Sequence, residues 1–307
     1  MIKQLNSFNR KVYQIGGRVV KILEIPNLGE IEEMIKKIKK YKGLLRGFGI
    51  RCIPSEMEIS SNFLNSLVKI QPGIDLEDIR SILSRIKIPS NSLIEIQSAG
   101  RDLEDILSEV QEQKEFEKLV ELLIKTIYPL IKTDFPGVGI DAVPRNFVFF
   151  KRVLCYADFF PPKYNENGKF LLEYPDPQEE EVYNAGIFRH YTVPGVLFTI
   201  LIHLGKLKPE FFEISKEMII EWYPSLLEII NPIENLFSHP KSLSLEDIRK
   251  IPIYPPFVIR YAAVKMGSKK KISKEEITEI FRLTHFQSDP IPNEKLEEAL
   301  KILGRAV

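Results

Sequence analysis

The sequence predicts an α+β protein of two lobes, a small β-rich N-terminal lobe carrying one helix and a larger, mainly helical C-terminal lobe. Three observations carry that prediction. Period-two alternation runs through residues 1–23. An amphipathic helical pattern at 29–43 follows, and strand character then returns. Beyond Gln71-Pro72-Gly73 helical patterns dominate, broken by one short apolar hairpin. The boundary is expected near residue 72, giving lobes of 1–72 and 73–307.

Each element has a local cause. Val12-Tyr13-Gln14-Ile15 and Arg18 to Leu23 flank Gly16-Gly17, and two glycines able to take φ > 0 make a two-residue hairpin turn. Ile31, Met34, Ile35, Ile38 and Tyr41 recur at helical spacing, with Glu and Lys on the opposite face. Gly47 to Pro54 and Asn65 to Pro72 read as strands. Asp75 is placed to cap LEDIRSILSRI, and 114–133 forms a long amphipathic helix bent at Pro129. Phe147–Phe150 and Val153–Tyr156 pair around the turn Lys151-Arg152. A loop rich in proline and acid spans 160–181, and Val193–Leu204 is apolar on every side, too short to cross a bilayer and suited to a buried helix.

Composition narrows the class. Apolar content of 44% with 28% charged residues describes a soluble globular protein. Lys and Arg number 43 against 42 Asp and Glu, so no excess of positive charge marks a nucleic-acid binder, and no membrane partner is expected. Cys52 and Cys155, far apart in apolar runs, read as free thiols of a reducing cytoplasm. Residues 1–14 lack the continuous apolar core of a signal peptide, which also points to the cytoplasm. His190, His203, His239 and His285 show no zinc-site spacing. Arg189-His190-Tyr191, just before the apolar helix, reads as a capping or surface cluster.

The densest chemistry lies between Ile140 and Pro162, IDAVPRNFVFFKRVLCYADFFPP. Asp141 and Asn146 enclose four residues that include Pro144, and the hairpin after them delivers Asp158. Oxygen side chains on one turn and one returning strand suit a hard cation such as Mg²⁺, which takes few protein ligands and completes its shell with phosphate and water.

Asp141-Ala-Val-Pro144-Arg-Asn146, the hairpin and Asp158-Phe159 together resemble the catalytic core of the protein-kinase-like superfamily, D-x-x-x-x-N followed by D-F-G. Arg18-Val-Val-Lys21-Ile resembles that family's V-A-I-K strand. The resemblance implies ATP and Mg²⁺ as cofactors and transfer of a phosphoryl group to a small-molecule or protein hydroxyl. It gives Asp141 the acceptor hydroxyl and its proton, Asn146 and Asp158 the metal, and Lys21 the nucleotide phosphates. It also implies an acid on the helix bracing Lys21, Glu30 first and Glu33 second, and a hinge at Leu67–Gln71 where Gln71 meets the nucleotide.

The chain departs from the pattern in several places. Asn6 to Lys11 holds no glycine where the family has a glycine-rich phosphate loop. Gly137-Val-Gly-Ile precedes Asp141 in place of His-Arg, Val143 replaces a lysine for which Arg145 is the nearest substitute, and Phe160 with two prolines follows where the family has glycine. These departures point away from regulated protein kinases and toward the atypical, small-molecule branch of aminoglycoside- and choline-kinase-like enzymes. They equally motivate a second expectation, a pseudokinase that binds nucleotide or a protein partner without transfer.

Overall fold

The computed structural model describes residues 2–5, 11–15, 17–25, 28–60, 89, 92–135, 137–172, 179–238, 243–285 and 291–306. The chain forms two compact units, Met1–Arg101 with Val148–Phe159, and Asp102–Phe147 with Phe160–Val307. The architecture is α+β: an N-terminal antiparallel sheet with one helix, then a mainly helical remainder.

In the first unit, β1 (Ile2–Leu5), β2 (Lys11–Ile15), β3 (Arg18–Glu24), β4 (Ser55–Ile59) and β5 (Ser92–Ser98) form one sheet in the order β1-β2-β3-β5-β4. Ile15 lies opposite Arg18, so β2 and β3 pair antiparallel in the register that the sequence predicts. Helix α1 (Leu28–Gly47) outruns the expected 29–43 because Leu45 extends the buried stripe of Ile31, Met34, Ile38 and Tyr41 by one more turn.

Strand β5 was not anticipated, since helical signals dominate its neighbourhood. It sits between β3 and β4, buried at every residue from Ser92 to Ser98. The first unit therefore continues to Arg101, beyond the boundary expected near residue 72. The strand expected at 65–72, the Asp75 cap and the Leu67–Gln71 hinge with Gln71 fall outside the described residues.

The predicted hairpin is present as β6 (Phe147–Phe150) and β7 (Val153–Tyr156). Lys151 and Arg152 both take positive φ, 50° and 66°, as a tight hairpin turn requires even without glycine. Of Gly47 to Pro54, expected to be a strand, Gly47 ends α1 and the stretch beyond it makes one isolated bridge, Cys52 with Tyr156. Tyr156 donates to the Arg51 carbonyl at 2.7 Å and accepts from the Ile53 amide at 2.9 Å. That clasp ties the end of β7, and with it Asp158 and Phe159, into the first unit. Cys52 is half-buried and Cys155 buried; both are free thiols, and burial pushes the Cys52 thiol up to about 11.

In the second unit, α2 (Leu103–Glu109) and α3 (Gln113–Lys132, with Pro129 inside) precede the Asp141 loop. The 160–181 segment contains a small hairpin, β8 (Asn165–Glu166) with β9 (Lys169–Phe170). Helices α4 (Glu180–Tyr191), α5 (Val193–Leu207), α6 (Phe212–Trp222), α7 (Leu227–Ser238), α8 (Leu245–Arg249), α9 (Pro255–Ser268), α10 (Lys274–Leu283) and α11 (Asn293–Gly304) follow. Helix α5 is the buried helix the apolar run predicts, capped by Thr192, whose Oγ1 accepts from the Gly195 amide at 3.1 Å. Phe198 on α5 stacks on Tyr261 of α9, ring centroids 5.5 Å apart. No single helix among the described residues is long and apolar enough to cross a membrane.

Candidate functional site

The expected site residues fall in both units, and each unit has its own geometry. In the first, Lys21 leaves β3 on the face opposite Val20 and Ile22, which are core. Its Nζ donates to the carbonyl of Ala157 at 2.7 Å, and Gln97 Nε2 donates to the same oxygen at 2.7 Å. Ala157 is the residue before Asp158, so the strand lysine lies on the peptide that introduces Asp158-Phe159. Asp158 is half-buried, while Phe159 is fully buried, edge-on to Tyr156 with centroids 5.7 Å apart.

A carboxylate within ion-pair reach of Lys21 is that of Glu95 on β5, at 4.0 Å. The register explains it: Lys21 and Glu95 are direct cross-strand partners, so both side chains leave one face of the sheet. No local pattern singles out this residue. A glutamate alternating with isoleucines reads as the wet face of a strand, and only the cover over both faces of β5 makes it interior. Glu30 stands half-buried in the first turn of α1, where a carboxylate also complements the helix dipole. Glu33 is turned outward and paired with Lys37 at 2.9 Å.

In the second unit, Asp141 follows Ile140 on a segment held by the last turn of α4. The Ile140 amide donates to the His190 carbonyl at 2.9 Å, and His190 Nδ1 donates to the Ile140 carbonyl at 3.2 Å. Arg189 Nη2 donates to Asp141 Oδ1 at 3.0 Å, and His190 Nδ1 lies 3.9 Å from the same oxygen. Burial alone would raise the Asp141 carboxyl. The charges of Arg189, Lys163 and Arg145 outweigh it and hold the group well below the usual carboxylate range. His190 is depressed to about 3, by burial first and by Arg189 second, so it stays neutral at physiological pH.

Arg189 and His190 are thus not the capping or surface cluster that the sequence suggests. They are half-buried and buried respectively, and they stand against Asp141. The chain lacks an Arg and a His directly before Asp141, and places the same residue types beside it from a helix about fifty residues later. Sequence spacing carries no trace of this, because α4 reaches Asp141 only through the tertiary fold.

Asn146 closes the short 3₁₀ turn Pro144–Asn146, and its Nδ2 donates to the Asp141 carbonyl at 3.0 Å. That bond turns its Oδ1 the other way. An oriented amide oxygen and the Asp158 carboxylate are hard oxygen donors, the kind Mg²⁺ takes. Among the described residues no three His, Cys, Asp or Glu side chains gather into a metal cage.

No known family profile matches the sequence, and no curated protein matches it. Among solved structures the chain is similar to a crystal structure of choline kinase LicA from Streptococcus pneumoniae, over 99% of this chain and 92% of that one, at 12% identity and a TM-score of 0.31. So loose a superposition assigns no residue and no activity.

Proposed function

We propose that this protein is a Mg²⁺- and ATP-dependent phosphotransferase on the protein-kinase-like plan, acting on a hydroxyl of a small molecule or a protein. The observation that supports this most is the 2.7 Å bond from Lys21 to Ala157. A strand lysine 136 residues upstream meets the peptide that leads into Asp158, in the chain order such an enzyme uses.

On this reading Lys21 binds nucleotide phosphates, and Asn146 and Asp158 are the oxygen ligands for metal. Bound Mg²⁺ would neutralise charge on the transferring group. Asp141 orients the acceptor hydroxyl and receives its proton. Arg189 keeps that carboxylate ionised and weakly basic, so its contribution is mainly positional. Phosphoryl transfer through a loose transition state asks for little more than position and charge compensation. The location fitting ATP and two free thiols is the cytoplasm.

The test is Mg-ATP binding by thermal shift, then ADP release with a panel of hydroxyl acceptors. Saturation to about a hundred times Kd adds ~2.7 kcal/mol of stability. ADP formation that survives Asp158→Ala would remove the assignment. A second reading, nucleotide binding without transfer, draws support from the engagement of Asp141 by Arg189 at 3.0 Å. A metal-dependent thermal shift with no ADP from any acceptor would select it.

A further inference from the structure

One polar chain threads the interior of the first unit. Lys42 on α1 donates through Nζ to Ser55 Oγ at 2.6 Å and to the Ser55 carbonyl at 3.3 Å. Ser55 Oγ in turn donates to Glu95 Oε1 at 2.9 Å, while Glu95 Oε2 lies 4.0 Å from Lys21 Nζ. Glu95 is 1% exposed and Lys42 6%. A carboxylate so buried is costly unless cations and donors compensate it, and a buried ammonium has the same requirement. Here one carboxylate serves two lysines, one directly and one through a serine.

The same chain reaches the Asp158 segment twice. Lys21 and Gln97 both hold the Ala157 carbonyl, and Lys42 Nζ lies over the Phe159 ring at 4.8 Å from its centroid. The position of Glu95 therefore bears on β3, α1 and the Asp158-Phe159 step together.

We propose that Glu95 is a positioning residue through which β5 sets Lys21 directly and Lys42 by way of Ser55. The inference rests on the phosphotransferase reading for what Lys21 binds, and not for the network itself. Burial depresses the Lys42 ammonium, and the Glu95 charge is the strongest influence opposing that depression. The carboxylate thus offsets part of the cost of burying one cation as well as orienting another.

The experiment compares Glu95→Gln, Glu95→Asp, Ser55→Ala and Glu30→Gln in the full chain, with two readouts. Glutamine keeps the size of Glu95 and an acceptor for Ser55 while removing the charge. The first readout is Kd for Mg-ATP; Glu95→Gln should weaken it about tenfold, from the loss of a charged partner, with aspartate recovering part of the loss and Glu30→Gln costing less. The second readout needs no nucleotide: NMR titration of the Lys42 side chain should move to lower pH in Glu95→Gln and in Ser55→Ala. Should Glu95→Gln fail to fold, the Ser55→Ala titration decides the matter, because it cuts the link without removing a buried charge. Wild-type titration of Lys42 in both Glu95→Gln and Ser55→Ala overturns the proposal. So does a larger loss of Mg-ATP affinity in Glu30→Gln than in Glu95→Gln. If the wild-type chain shows no Mg-ATP binding, the phosphotransferase reading fails and the Lys42 titration alone judges Glu95.

Discussion

Arg189 Nη2 donates to Asp141 Oδ1 at 3.0 Å, both side chains about 15% exposed, across 48 residues of chain. Removing the guanidinium leaves a carboxylate shielded from water without its nearest compensating charge. Arg189→Met is expected to destabilise the protein by ~3 kcal/mol, the low end for breaking a buried pair, since some solvent still reaches this one. Urea denaturation measures it as a lower midpoint at unchanged slope. A midpoint equal to wild type would show that the pair is ornamental.

Asp141 itself separates binding from turnover. Asp141→Asn keeps the shape of the side chain and removes its charge. If Asp141 receives the acceptor proton, ADP formation should fall by about 10²–10⁴-fold, while the Mg-ATP thermal shift persists. Retained turnover in Asp141→Asn would take the residue out of the reaction.

Acid should weaken the second unit before it reaches the carboxylates. His190 titrates at about 3 in the folded chain against an ordinary 6.5, and burial likewise holds His203 well below that value and His285 down at about 4. With the folded value depressed, the unfolded chain binds more protons between those limits. The stability is complete above pH ~6.5 and is lost as pH falls toward the folded values. For His190 alone the loss at pH 5 is about 2 kcal/mol. Asp141 adds a loss of the same sign below pH ~4, where the unfolded carboxyl begins to protonate. Urea midpoints at pH 7.5 and 5 should show the fall, and His190→Gln, which keeps a donor for the Ile140 carbonyl, should flatten it. Equal midpoints at the two pH values would contradict the buried neutral histidines.

Much of this was legible in the sequence because it is local. The pairing of β2 with β3, the stripe from Ile31 to Tyr41, the hairpin at 147–156 and the apolar run after Thr192 each announce themselves within a dozen residues, and each stands where expected. Strand β5 and the partners of the site residues were not legible, for one physical reason. Glu95 is interior only because α1 and the neighbouring strands cover a face that alternation alone would give to water, and Arg189 meets Asp141 only because α4 ends against the Ile140 segment. Alternation reports how one element divides its faces, not what later covers them.

Lys21 offers a sharper separation of binding from folding. Lys21→Met keeps most of the aliphatic stem and removes the ammonium, leaving Gln97 to hold the Ala157 carbonyl. Stability should fall by about 1–3 kcal/mol, because the Ala157 carbonyl keeps Gln97 while the buried Glu95 carboxylate loses the Lys21 cation and keeps the Ser55 donor. The Mg-ATP shift should vanish at nucleotide concentrations that stabilise the wild type. A full Mg-ATP shift in a folded Lys21→Met protein would break the link between this lysine and phosphate.

Gly139 tests whether the backbone beside Asp141 needs its close fit to α4. A Cβ added there would stand 2.8 Å from the His190 carbonyl oxygen and 2.8 Å from the Tyr191 ring. The ring is held in turn by the Tyr191 hydroxyl donating to the Leu171 carbonyl, and the carbonyl by the Ile140 amide at 2.9 Å, so neither neighbour gives way cheaply. Gly139→Ala should cost ~1–3 kcal/mol by overpacking. Because the strain is relieved by moving the end of α4 off the Ile140 segment, Arg189 should move with it. The variant is then expected to lose turnover while retaining part of the Mg-ATP thermal shift, since Lys21 and Asp158 belong to the other unit whereas Asn146 stands on the Asp141 carbonyl. Unchanged stability and turnover in Gly139→Ala would mean that the α4 contact does not position Asp141.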